Sequence, residues 1–370
     1  MSLFDEQPPL IDSKVLRQWL KSHYAIFNIK DIKIKSLNSE RDKNFLIKGM
    51  GEKFYVVKIS HPSESINQLK YQDDLIRHLR SNSLLTNIYP KICHKNILFF
   101  NDLNQRKCAV RILTYIDGKM YAKSKITNKI EITFGKVLAL QTNQLKTFIH
   151  KEAIRNFIWN PENIQWINDY LKLFKGEKKQ IIRNAILHNE HFVQKNIKNL
   201  KYSVTHGDPN DYNIVIGGKG VRGIIDFGDS LYAPVINDLA IALSYALMRS
   251  ENLYKTLQNI IGTFNNYYPL DTDEIYSLLS LIKSRLAITL VMSAKQRLKY
   301  PDNEYLSISE KNAWHLINQL DRVDPYFFIA VVRDICCFEP IINSNKIINL
   351  IKDYKFGELF EFKLTNIDKK

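Results

Sequence analysis

Residues 204–229 decide the fold of this chain, and they read VTHGDPNDYNIVIGGKGVRGIIDFGD. Two short acidic loops, His206-Gly207-Asp208 and Asp226-Phe227-Gly228, flank two runs of apolar β-forming residues. A glycine-rich turn separates the runs, so we predict a β-hairpin over residues 214–225. A hairpin brings its two ends together, and we therefore expect Asn213 and Asp226 to be neighbours.

The polar residues of these loops match the requirements of phosphoryl transfer. That reaction depends on positioning and charge neutralisation more than on covalent help from the protein. One carboxylate must orient the acceptor hydroxyl or take its proton, and we assign this role to Asp208. Mg²⁺ prefers oxygen ligands, and we expect Asn213 and Asp226 to bind it. Protein kinases use the same spacing with an arginine where this chain has Gly207, followed by the same Asp-Phe-Gly.

The two motifs together resemble the aminoglycoside phosphotransferase and choline kinase-like family. The likeness is greatest to its hydroxylysine kinase-like branch, because residues 39–45 read SERDKNF and residues 225–229 read IDFGD. The resemblance extends from about residue 36 to residue 320. It implies an α+β, two-lobed protein kinase-like fold. Residues 1–116 would form a β-rich nucleotide-binding lobe, and residues 117–370 a mainly helical lobe with the catalytic loop and the acceptor site.

A lysine in the first of these lobes stands where the kinase pattern requires one. Turn residues divide residues 31–60 into three runs that predict a β-meander. Lys58 lies in the third run, and residues 65–79 after it read as a helix. This order favours Lys58 as the residue that holds the α- and β-phosphates of the nucleotide. The alternative is a lysine on the solvated face of a strand.

The partner of Lys58 is left open by the sequence. Protein kinases pair this lysine with a glutamate of the following helix. Here the corresponding position holds Gln72, with Asp73 beside it, so either residue is a candidate. No glycine-rich phosphate loop is present, and residues 39–44 take its place. The other residues that we expect at the nucleotide are Ser39, Arg41, Asn44, Gln72 and Thr114.

The acceptor site is predicted from scattered residues. Arg155 and Trp159 lie in a segment similar to one in the hydroxylysine kinase-like branch and are candidates for lining the acceptor site, although packing between helices is the favoured reading of Trp159. The acidic residues Asp211 and Asp229 are candidates for binding an ammonium group. The resemblance also implies that His206 and Asp238 support the catalytic loop, with Asp238 hydrogen-bonding its backbone. An ordinary acid at a helix start is the alternative reading of Asp238.

Composition restricts the class of protein. The chain has 370 residues, 45% hydrophobic and 25% charged, which is typical of a globular protein with a large core. Its formal net charge is +15, but the lysines are dispersed, so we do not expect nucleic-acid binding. No Cys-x-x-Cys pair or signal peptide is evident, and apolar runs such as residues 239–248 are too short to span a membrane. We therefore expect a cytoplasmic protein with no membrane partner and leave its oligomeric state open.

These observations predict a magnesium-dependent small-molecule kinase. It would transfer the γ-phosphoryl group of ATP or GTP to a hydroxyl of a small amine or amino acid, and the resemblance makes 5-hydroxylysine the best candidate. Aminoglycosides, which are hydroxylated polycations, are the alternative acceptors. A non-catalytic kinase-fold binding protein is the alternative from another class. The sequence does not distinguish ATP from GTP, because backbone groups contact the purine in this architecture.

Overall fold

The first part of the fold is a five-stranded antiparallel sheet. The computed structural model describes residues 7–341 except Asp31, Glu40, Lys219 and 300–304, and it leaves out the side chains of residues 299 and 305–309. The strands run in the order β1-β2-β3-β5-β4, which confirms the predicted meander over β1, β2 and β3. Their bounds are β1 (Ile34–Leu37), β2 (Lys43–Lys48), β3 (Phe54–Ile59), β4 (Leu98–Asn101) and β5 (Lys107–Thr114).

Two helices accompany this sheet, and they belong to different hydrophobic clusters. Helix α1 (Ser13–His23) is amphipathic, and it buries Leu16 and Leu20 in one cluster with the inner face of the sheet. Helix α2 (Ile66–Arg80) follows β3 as predicted, but Tyr71 and Leu75 pack into the larger cluster of the helical region. Helix α2 therefore connects the sheet to the helices.

The predicted hairpin is present and positions both acidic loops. Strands β8 (Ile214–Gly217) and β9 (Gly220–Ile224) pair antiparallel, with β6 (Lys119–Met120) on the outer side of β8. Strands β7 (Tyr202–Thr205) and β10 (Leu231–Pro234) form a second antiparallel pair. One loop runs from β7 to β8 and the other from β9 to β10, so both acidic loops lie between the same two pairs of strands.

The remaining described chain is mainly helical, which confirms the predicted α+β class. One helix of the described residues, α7 (Thr272–Lys299), is long and apolar enough to cross a membrane by length and composition, contrary to the sequence-based expectation, but 94% of its most apolar window is buried by the rest of the fold. The part of the predicted helical lobe that follows residue 341 lies outside the described residues. The helices are α3 (Asn128–Leu145), α4 (Gly176–His188), α5 (Ile236–Leu247), α6 (Leu253–Tyr267), α7 (Thr272–Lys299), α8 (Tyr305–Asp321) and α9 (Pro325–Ile335).

Candidate active site

Close packing of the two acidic loops explains the glycine in the first one. Gly207 has a φ of +80°, and a Cβ there would lie 2.1 Å from the backbone oxygen of Asp229. Any side chain at this position would push the loops apart, and the left-handed conformation also favours glycine. The arginine of the protein kinase pattern therefore has no room at position 207.

A buried carboxylate fixes the backbone of the first loop. Asp238, in the first turn of α5, accepts hydrogen bonds from the backbone N–H groups of His206 (2.8 Å) and Gly207 (2.9 Å). This is the contact that the resemblance implied. His206 is fully buried, and its burial lowers its pKa to about 4. The neutral ring contacts the Ile225 carbonyl through Nε2 at 3.1 Å and accepts from the Asp208 backbone N–H, so it joins the two loops.

Three side chains hold the carboxylate of Asp208. Arg285 of α7 donates to its Oδ1 at 2.5 Å. The amides of Asn210 and Asn213 donate to its Oδ2 at 2.6 and 3.2 Å. The Asn213 amide also donates to the Asp208 backbone oxygen at 2.9 Å. The predicted base and the predicted amide ligand are therefore in direct contact.

Asp226, in the second acidic loop, has a strained backbone conformation. Its φ is +64°, a region that residues other than glycine rarely occupy and that often marks functional sites. Lys58 donates to its Oδ1 at 3.1 Å, and this ammonium lowers the pKa of Asp226 to about 2. The neighbouring Ile225 N–H donates to the Asn213 carbonyl at 3.0 Å, so Asn213 and Asp226 lie at the same end of the hairpin as predicted.

These residues fit a divalent cation. Asp226 is ionised at neutral pH and its side chain is 49% exposed, and the Asn213 amide adds an oxygen nearby. Mg²⁺ is commonly held by one or two carboxylates together with substrate phosphates, so a complete protein cage is not required. No group of three or more His, Cys, Asp or Glu residues suited to a metal ion occurs in the described part of the chain.

A small polar cavity opens beside Asp208. Its volume is about 180 Å³. Asp229 lies in its wall, and partial burial together with the carboxylates of Asp208 and Asp226 raises the pKa of Asp229 to about 7. The lining residues are Arg41, Phe157, Trp159, Asp208, Asn210, Asp229, Tyr245 and Arg285.

The predicted pairing of Lys58 with Gln72 or Asp73 is wrong. Arg111 of β5 donates hydrogen bonds to both residues instead, at 2.8 Å to Gln72 and 3.0 Å to Asp73. Arg111 faces Lys58 across the two strands and reaches helix α2, whereas Lys58 reaches Asp226. Gln72 is therefore bound within the sheet–helix interface instead of at the nucleotide.

The other residues predicted at the nucleotide lie in three different places. Asn44 is paired with Lys58 in the β2–β3 register, so it lies beside the lysine on the sheet, and Ser39 is exposed in the β1–β2 loop. Arg41, in contrast, lines the cavity next to Asp208. The Thr114 hydroxyl accepts a hydrogen bond from the backbone N–H of Lys91 at 2.8 Å, so its observed contact is with a neighbouring loop.

Two of the four residues predicted at the acceptor line the cavity, and two do not. Trp159 and Asp229 line the cavity, and Trp159 also packs against the hydrophobic core. Asp211 does not line it. Its carboxylate lies 3.8 Å from Arg249 instead. Arg155 donates to the carbonyl of Gly228 at 2.7 Å, so it supports the second acidic loop instead of lining the cavity.

Sequence reasoning missed Arg285 and Tyr245, which complete the wall around Asp208. A signal for Arg285 was available. Residues 281–292 are mostly apolar, so Lys283 and Arg285 lie in a segment where a cation must be buried and paired. The position of Tyr245 within the apolar helix α5 gave no comparable signal.

The comparisons with known proteins agree with this geometry. The family model described as "Phosphotransferase enzyme family" matches residues 33–268. The hydroxylysine kinase of Mus musculus is 28% identical over 324 residues, which cover 80% of this chain and 86% of the mouse protein.

Solved structures share the fold at lower identity. The structure of a microcompartment-associated aminopropanol kinase has a TM-score of 0.67 and 13% identity, and the match covers 84% of this chain and 97% of that one. The amicoumacin kinase hAmiN, solved with AMP-PNP and Ca²⁺, has a TM-score of 0.61 and 14% identity, with coverages of 85% and 99%. At these identities the likeness concerns the two-lobed kinase-like fold.

Proposed function

Because this chain belongs to the phosphotransferase enzyme family and is a small-molecule kinase acting on hydroxyl groups, we propose that its acceptor is a small hydroxylated amino acid, best represented by 5-hydroxylysine. Hydroxylysine kinases are the curated relatives, and they match over most of their length. The observation that carries the proposal is the cavity beside Asp208.

The size and charge of that cavity support a small zwitterion over an aminoglycoside. Its volume of about 180 Å³ is below the roughly 300–1,000 Å³ of sites for drug-sized ligands. Two arginines, Arg41 and Arg285, share the wall with two aspartates, Asp208 and Asp229. Arg285 is paired with Asp208, so Arg41 and Asp229 supply one further charge of each sign. A polycation is best bound by a predominantly acidic wall, whereas a balanced wall suits a ligand that carries both a carboxylate and an ammonium group.

The roles that we propose follow from the contacts. Asp208 orients the acceptor hydroxyl and takes its proton, while Lys58 neutralises the α- and β-phosphates of the nucleotide. Asn213 and Asp226 would hold Mg²⁺, which neutralises charge on the transferred phosphoryl group when bound. Asp229, with its pKa near 7, ionises readily when an ammonium group approaches, since a nearby cation favours the carboxylate.

Phosphoryl transfer to a matched acceptor series tests this proposal. We would measure transfer from ATP and from GTP, with Mg²⁺, to 5-hydroxylysine, to its decarboxylated analogue 1,5-diaminopentan-2-ol, and to an aminoglycoside. We expect 5-hydroxylysine to be the best acceptor. Asp208→Asn should lower its turnover by about 10²–10⁴-fold while nucleotide binding persists.

Two outcomes would contradict the proposal. Efficient turnover of the aminoglycoside but not of 5-hydroxylysine would assign the enzyme to the antibiotic-modifying members of its family. Nucleotide binding without transfer to any acceptor, by a protein whose fold is intact by circular dichroism, would favour a non-catalytic role.

A further inference from the structure

Arg285 lies in the wall of the cavity and joins Asp208 to the helical core. It lies on α7 with a side chain only 3% exposed, and its Nη2 donates to Asp208 Oδ1 at 2.5 Å. The same nitrogen donates to the Tyr245 hydroxyl at 3.2 Å, and Nη1 donates to the Trp159 carbonyl at 3.2 Å. The guanidinium is therefore anchored at three points.

Aromatic rings restrict the same guanidinium. Its central carbon lies 4.8 Å from the Trp159 ring centroid and 5.6 Å from that of Tyr245. Stacking of this kind suits the planar arginine head group, and lysine does not reproduce it. Helix α7 is buried over most of its length, so the group is attached to a rigid element. Catalytic groups held by such supports retain their geometry best.

We propose that Arg285 is a positioning residue, which fixes the Asp208 carboxylate in the orientation that phosphoryl transfer requires. Arg285 holds Oδ1 while Asn210 and Asn213 hold Oδ2, so the carboxylate cannot rotate about either side-chain torsion without losing a hydrogen bond. Arg285 acts through Asp208. This inference deepens the proposed function and rests on it for the role of Asp208.

The chain provides a matched control on the same helix. Lys283 lies two residues before Arg285, its side chain is fully buried, and its ammonium lies 2.6 Å from Asp321 Oδ1. Lys283→Met and Arg285→Met each remove a buried cation from a carboxylate, and both should destabilise the fold. Only Arg285→Met affects Asp208.

The kinetic test compares these variants. We expect Arg285→Met to lower kcat by about 30-fold or more, with the KM for nucleotide within about threefold of wild type. Arg285→Lys should recover part of the loss, because it restores the charge but not the fork of donors. Lys283→Met should retain kcat within about threefold although its Tm falls.

A double-mutant cycle separates positioning from the alternatives. In the Asp208→Asn background, Arg285→Met should lower kcat by less than about threefold, because the residue through which it acts is already changed. An equal loss in both backgrounds, or a loss confined to the KM of the acceptor, would make Arg285 an acceptor ligand and overturn the proposal. A kcat loss in Lys283→Met as large as that in Arg285→Met would reduce Arg285 to a structural role and overturn it as well.

The cycle also has a form that needs no acceptor. We expect hydrolysis of Mg-ATP by water to use the same carboxylate, so the wild type and the three variants of the cycle can be compared by phosphate release. If 5-hydroxylysine is not phosphorylated, the proposed function fails, but coupling between Arg285 and Asp208 in hydrolysis still supports the positioning role. Additive losses in hydrolysis would contradict it.

Discussion

Lys58 and Arg111 face each other on β3 and β5. Each forms an ion pair with an aspartate, but the two pairs differ in their exposure to solvent. Lys58 pairs with Asp226 of the second acidic loop, and their side chains are 14% and 49% exposed. Arg111 pairs with Asp73 of α2, and both of those side chains are 4% exposed. One ion pair is open to solvent and the other is closed.

The difference shows how this protein divides two tasks that protein kinases give to one lysine. The closed pair anchors α2 to the sheet without Lys58, the lysine that we propose for phosphate binding. The open pair keeps Lys58 next to Asp226, and we propose that nucleotide phosphates and a metal ion replace this contact. We therefore expect the position of α2 to be independent of nucleotide binding and only the open pair to change when substrates enter.

The pKa values of the two aspartates reflect the same division. The Lys58 ammonium is the main influence on Asp226 and lowers its pKa to about 2. Burial is the main influence on Asp73 and raises its pKa, although the Arg111 guanidinium opposes the shift. Charge pairing dominates in the open pair, and loss of water dominates in the closed one.

The largest expected effect breaks the open pair. Asp226→Asn should lower turnover by about a thousandfold or more, since the variant removes the carboxylate that we propose for the metal. Asparagine tolerates the left-handed backbone at this position, and solvent screens the half-exposed ion pair with Lys58, so the free energy of unfolding should change by less than about 1 kcal/mol. Turnover and urea unfolding measure both quantities. A variant that retains a tenth of wild-type turnover would contradict the metal assignment.

The next effect breaks the closed pair. Arg111→Leu leaves the Asp73 carboxylate, whose burial already raises its pKa, without a counter-ion, so we expect the free energy of unfolding to fall by about 3–5 kcal/mol. The control is the double variant Asp73→Leu with Arg111→Leu, which should lose less than the single variant because no charge is left unpaired. Urea unfolding measures both. If the double variant is the less stable of the two, the pair stabilises the fold directly.

A third measurement extends the comparison to Asp238, another closed carboxylate. Its burial raises its pKa to about 6, so between pH 4 and 6 the folded protein holds a proton that the unfolded chain has lost. The stability contributed by this group is therefore full below pH 4 and declines as the pH rises through 6. The advantage of wild type over Asp238→Asn in unfolding free energy should shrink from pH 4 to pH 7. An advantage that grows over this range would contradict the assignment.

The smallest effect concerns Gln72. Gln72→Glu introduces the acid that protein kinases have, but the Gln72 oxygen lies 2.8 Å from Arg111. We expect the new carboxylate to pair with Arg111 and leave Lys58 with Asp226, so turnover should stay within about threefold of wild type. A change of more than tenfold would show that Lys58 can change its partner.

The sequence predicted the elements whose signal is local. The strands β1–β3 and the hairpin of β8 and β9 follow from alternating apolar residues and turn residues, and helix α2 follows from apolar residues at helical spacing, each within a short window. The neighbourhood of Asn213 and Asp226 then follows from hairpin geometry alone. Asp208, Lys58 and Asp226 were predicted from motif spacing for the same reason.

The pairing of charges could not be predicted in this way. The choice between Gln72 and Asp73 as the partner of Lys58 did not consider Arg111. Arg111 lies in an apolar strand 53 positions after Lys58, and only the register of β3 and β5 makes the two residues neighbours. Arg285 is more remote still, since it reaches Asp208 from a helix 77 residues away. Such contacts depend on tertiary packing, which no local pattern records.

The most direct test of this division is to measure turnover and the free energy of unfolding on the same preparations of Lys58→Met and Arg111→Met. We expect Lys58→Met to lose at least about 100-fold in turnover with little change in stability, and Arg111→Met to lose about 3–5 kcal/mol of stability. At a temperature where Arg111→Met is still folded, its turnover should remain within about tenfold of wild type. Two variants that lose turnover and stability in the same proportion would contradict the account.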